Sequence, residues 1–185
     1  WAILPSNFTG YPYYVGYFDV ADRPNGLVAA VWTENSIDSR VFRPYVAVSV
    51  EDGEFRSWNY RGDILESSMP ESNVGSIGIV LLDDDSILVA LNIIENDPES
   101  SLIRGTIFAL RSDDFGVTWS DPEPLPPFLS GDDEYDAVLP EFAFGTYLDL
   151  ELNDAGEIGA VWINEPPPPI SSKTTCFSTS SDGGR

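Results

Sequence analysis

Two tyrosine–aspartate pairs are the best candidates for chemistry in a chain with few reactive side chains. Tyr17 and Asp19 recur as Tyr147 and Asp149. A ligand-facing phenol with an adjacent carboxylate is an arrangement that suits retaining glycoside chemistry, where one group attacks carbon and another handles the proton. Recurrence also argues for packing or pore lining, because a catalytic group is needed only once. Arg40, Arg104 and Arg111 could in principle converge, but they flank predicted third strands, and solvated or ion-paired surface arginines are the plainer expectation. The acidic runs Asp83-Asp84-Asp85 and Asp132-Asp133-Glu134-Asp136 gather hard oxygen donors. That makes Asp83, Asp85, Asp132 and Asp133 candidate ligands for Ca²⁺, the one cofactor the sequence suggests. Neither run has the spacing of a calcium loop, so solvated acidic turns are the simpler reading.

Composition removes other chemistries. The 185 residues contain no His and one Cys, Cys176, which excludes His-based triads, Cys/His zinc sites and internal disulfides. Thirty-one acidic residues against nine basic ones give a formal charge of −22, the wrong sign for a phosphate backbone, so nucleic acid is not an expected partner. The same field opposes anionic sugars unless a basic pocket overcomes it. No window is long and apolar enough for a membrane helix. With 42% hydrophobic and 12% aromatic residues, the chain can bury a core. Asn7-Phe8-Thr9 matches a glycosylation acceptor, which matters only in a secreted protein.

The elements that would carry these residues repeat three times, at a period of roughly 60 to 70 residues. Tyr17-Phe18-Asp19-Val20 matches Tyr147-Leu148-Asp149-Leu150, and Val28-Ala29-Ala30-Val31-Trp32 matches Ile158-Gly159-Ala160-Val161-Trp162 at the same offset. A looser middle copy, its register slipped by several residues, has Val74 to Ile79 and Ile87 to Leu91. Turn residues separate the first two runs of every copy: Arg23-Pro24-Asn25-Gly26, Asp83-Asp84-Asp85 and Asn153-Asp154-Ala155-Gly156. Third strands are predicted at Tyr45 to Val50, Gly105 to Arg111 and Thr174 to Ser180, the last holding Cys176 as a small apolar residue. Fourth strands are predicted near Phe55 to Tyr60 and Val117 to Ser120, and Pro166 to Pro169 read as a stiff connector. No dozen-residue stretch has helical periodicity, and Gly and Pro number fifteen each. The expectation is an all-β chain of four-stranded antiparallel blades: a β-propeller with about three blades, an incomplete ring. The blades span approximately 14–61, 74–121 and 144–185, the last one truncated, and 1–13 close a preceding blade or lead in. A β-sandwich is the competing all-β reading, but it does not require successive quartets of strands to resemble one another.

Between the third and fourth strands of the middle copy, Ser112-Asp113-Asp114-Phe115-Gly116-Val117-Thr118-Trp119 fits S-x-D-x-G-x-T-W through Ser112, Asp114, Gly116, Thr118 and Trp119. It resembles the Asp-box of the sialidase and BNR-repeat propellers. The other copies keep S-x-[DE]-x-G, as Ser49, Glu51 and Gly53, and as Ser180, Asp182 and Gly184. Physically the motif is a turn staple, since a short oxygen side chain accepts backbone N–H bonds, Gly supplies φ > 0 and Trp packs over the hairpin. The resemblance implies boxes at the blade periphery that determine the fold. It also implies that an enzyme of the family would carry an arginine triad, a Tyr/Glu nucleophile pair, an Asp acid/base and an F-R-I-P motif. The nearest match to the last is Phe42-Arg43-Pro44, inside a blade and without the Ile.

Family propellers close with six or more units. The chain is therefore expected to be part of a longer polypeptide, beginning at Trp1 without Met and stopping at Arg185 within a hairpin motif, or to be completed by a second chain. The functional expectation is an extracellular or cell-surface, non-catalytic module that binds glycan or protein in adhesion or surface assembly. One alternative is a sialidase-like exo-glycosidase whose catalytic residues lie largely outside this chain. The other is a structural subunit of a filament or surface layer.

Overall fold

Short aliphatic and β-branched runs, each ended by Gly, Asn, Asp or Pro, fold as meanders because every strand finds its nearest partner across the turn that ends it. The computed structural model describes residues 13–24, 26–36, 41–49, 58–69, 72–82, 86–96, 103–125, 148–164 and 174–180. The first sheet comprises β1 (Tyr13–Asp22), β2 (Val28–Ser36), β3 (Arg43–Ser49) and β4 (Trp58–Asp63). The second comprises β5 (Asn73–Leu81), β6 (Ile87–Asn96), β7 (Ile103–Ser112) and β8 (Glu123–Pro124), and the third β9 (Leu148–Leu152), β10 (Ile158–Asn164) and β11 (Thr174–Ser180). All neighbours are antiparallel, and spatial order within each sheet follows chain order. The described residues contain no helix, hence none long and apolar enough to cross a membrane.

The three sheets start alike. Asp22 faces Val28, Leu81 faces Ile87 and Leu152 faces Ile158. The turns close with equivalent bonds, Arg23 N to Leu27 O at 2.9 Å, Leu82 N to Ser86 O at 2.9 Å and Asn153 N to Glu157 O at 3.0 Å. Gly26 and Gly156 take φ of 87° and 78° there, a region glycine enters without steric cost. The slip expected in the middle copy is thus absent from its first hairpin. The irregularity lies in the connections between copies, whose lengths differ.

β5 packs against β1 on one side and β9 on the other, so the first strands stand side by side and the sheets fan out from them. Alternation along β5 and β6 supplies both seams. Ile77, Ile79, Leu81, Ile87, Val89, Leu91 and Ile93 join Ala29, Val31, Val46 and Val48 in the first seam. Val80, Leu82, Leu88 and Ala90 join Leu148, Leu150, Ile158, Ala160 and Trp162 in the second. Each described sheet is built from consecutive strands, without the crossover connections of a Greek-key sandwich. The architecture is that of successive propeller blades, three of them, in an open array.

The expected fourth strand at Val117 to Ser120 is corrected by the structure. Those residues belong to a turn, and the fourth strand is the two-residue β8, where Phe108 faces Pro124 and Ala109 faces Glu123.

Candidate functional site

The best-defined polar constellation is the turn that follows β7. The Ser112 hydroxyl accepts from Gly116 N at 2.7 Å and donates to Asp114 Oδ1 at 2.9 Å. Asp114 Oδ1 also accepts from Val117 N at 3.1 Å and Thr118 N at 2.8 Å, while Thr118 Oγ1 donates to Asp114 Oδ2 at 2.6 Å. These bonds, the Thr118 hydroxyl foremost, hold the Asp114 carboxyl below the usual aspartate range. Phe115 and Gly116 take φ of 58° and 81°, a tight reversal in which a Cβ on Gly116 would approach Arg61 Cγ to 3.3 Å. Arg61, on β4 of the first sheet, donates from Nε to Phe115 O at 3.0 Å, and Trp119 lies against the first core. The turn therefore clamps neighbouring blades, and its carboxylate is engaged by backbone N–H groups and hydroxyls of the turn itself.

The matching serines hold one register. Ser112 faces Ile87 and Ser180 faces Ile158, and Ser49 accepts from Val28 N at 2.9 Å. Glu51, Gly53, Asp182 and Gly184 lie outside the described residues.

On the innermost strands, a bulge between Val15 and Phe18 sets Tyr17, which is exposed. Its N–H donates to Thr33 Oγ1 at 3.0 Å. Asp19 uses both carboxylate oxygens on backbone, Oδ2 accepting from Ile79 N of the second sheet at 2.9 Å and Oδ1 from Val20 N at 2.8 Å. Asp149 is exposed, and Tyr147 lies outside the described residues. The structure thus places Asp19 as a tie between first strands, and it does not bring Asp149 to it.

The described arginines are engaged separately. Arg43 donates from Nε to Asp63 Oδ2 at 2.7 Å, and from Nη1 to Met69 O and Ser72 O at 2.9 Å each. It thereby pins the segment leading into β5, beside the bonds Phe42 N to Asn73 Oδ1 at 2.8 Å and Val74 N to Phe42 O at 3.0 Å. Arg111 pairs with Asp113 at 2.7 Å. Arg104 lies in β7 opposite Glu95, and Arg40 is outside the described residues. So are Asp83, Asp85, Asp132 and Asp133, Asn7-Phe8-Thr9 and Pro166 to Pro169; among the described residues no cluster of three His, Cys, Asp or Glu converges for a metal. Cys176 sits in β11 opposite Trp162.

Sequence reasoning passed over three residues. Arg61 had no local signal, because its acceptor lies on another sheet. Glu34 is buried on β2 and accepts from Trp32 Nε1, and burial pushes its carboxyl above the ordinary glutamate value. Gly78 stands in register where the flanking copies have Asp19 and Asp149, a visible oddity in the repeat. A cleft of about 380 Å³ opens on the third sheet, lined by Glu151, Asn153, Glu157, Gly159, Thr179 and Ser180.

No family model and no curated protein matches the sequence. Among solved structures, a protein of unknown function from Dyadobacter fermentans superposes with a TM-score of 0.65 and 17% identity, over 93% of this chain and 52% of its own. A Hadza microbial sialidase, Hz136, superposes at 0.55 with 13% identity, over 92% of this chain and 36% of its own. A glycosyl hydrolase from Bacteroides ovatus gives 0.49 with 14% identity, over 91% and 48%. The chain therefore spans about half the length of the first of these and about a third of the second. At these identities the likeness shows the fold alone, an antiparallel blade array.

Proposed function

We propose that this chain is a scaffold portion of an extracellular or cell-surface propeller of the sialidase-like, Asp-box kind, working as a non-catalytic module that binds glycan or protein in adhesion or surface assembly. The observation that supports this reading best is the commitment of Arg43, Arg61 and Arg111 to acceptors within the fold. Each guanidinium is held to an acceptor on a different element, so these three do not form the convergent clamp that a carboxylate-bearing sugar needs. Asp19, the inner-strand carboxylate, is likewise spent on backbone N–H groups.

The enzyme reading, a sialidase-like exo-glycosidase, is favoured by one observation, the exposed side chain of Tyr17 on an innermost strand. A glycan array read with the full-length protein that contains this chain, beside turnover of a fluorogenic sialoside by the same protein, separates the two. Retention of neutral or cationic glycans without turnover is the expected result. Turnover that is lost in Tyr17→Phe establishes the enzyme instead.

A further inference from the structure

We draw no further inference here: the strongest candidate, the cleft on the outer face of the third sheet lined by Glu151, Glu157, Gly159 and Thr179, lies where the described residues end at Ser180, and nothing in the structure shows what covers it.

Discussion

The two seams solve one packing problem differently. At the first, the strand position facing the neighbouring sheet carries a carboxylate, and Asp19 reaches across to Ile79 N. At the second, the corresponding residue is Gly78, where an added Cβ would lie 3.2 Å from Leu150 Cγ and 3.4 Å from Leu150 N. One seam is bridged by a side chain and the other closes by direct approach of backbone to side chain. Further ties cross the first, including Arg61 to Phe115 O and Phe42 with Asn73 and Val74. A blade interface of this kind needs apolar burial everywhere, whereas its polar ties are specific to each junction.

Cavities should have the largest effect. Leu91 is fully buried in the first seam and Leu150 is buried in the second, so Leu91→Ala and Leu150→Ala should each cost about 2–5 kcal/mol in urea unfolding. Only the second should shift the fluorescence of Trp162, which shares its cluster. Equal spectral responses would mean that the seams are not separate packing units.

Next come the glycines. Gly78→Ala should cost about 1–3 kcal/mol because Leu150 must move. Gly159→Ala, with open space around it, should be neutral or stabilising by about 0.5–1 kcal/mol. If both are neutral, close approach does not define the second seam.

The polar ties follow. Asp19→Ala leaves Ile79 N without its acceptor and should cost about 1–2 kcal/mol. Asp114→Ala should cost a similar amount by freeing the turn that Arg61 grips. The pH dependence of the Asp114 effect has a definite sign. Its carboxyl titrates lower in the folded chain than in the unfolded one, so its contribution is complete above the unfolded value of about 3.9 and disappears as pH falls through the lower folded value. Stability of parent and Asp114→Ala should therefore converge in strong acid.

The smallest effect is expected at Glu34, which stands on the face of the first sheet turned away from the second, in the register that Ile93 fills in the second. Burial raises its folded value, so its contribution to stability is present below the unfolded value of about 4.3 and is lost as pH rises through the folded one. Glu34→Gln, which can still accept from Trp32, should raise Tm slightly at pH 7 and have no effect at pH 3. A loss of stability at pH 7 would instead make the charge a favourable part of that face.

Much of the architecture was legible from residue patterns. Val28 to Trp32, Ile87 to Leu91 and Ile158 to Trp162 mark the second strands because a strand buried on one or both faces must repeat its apolar positions wherever the unit repeats. The last described strand, Thr174–Ser180, falls where alternation placed it. The segment Val117 to Ser120 misled because Val, Thr and Trp favour strands, while four hydrogen bonds on Asp114 hold the stretch in a turn. The true fourth strand, Glu123–Pro124, has no pattern to read, since two residues show no period and proline suits only an edge. The candidate site was less legible. Asp19 and Arg43 were visible as types, but the backbone groups that consume them come from Ile79, Met69 and Ser72.

The sequence by itself determined the repeating unit: an all-β hairpin, a third strand and a serine-started turn, each set by interactions among residues close in the chain. Tertiary structure alone decided which polar groups are engaged within the fold. Those outcomes depend on atoms brought together from different sheets, as when Arg61 meets Phe115 and Asp19 meets Ile79. Local patterning carries no information about partners so far along the chain, because their approach is fixed by the packing of one blade on the next.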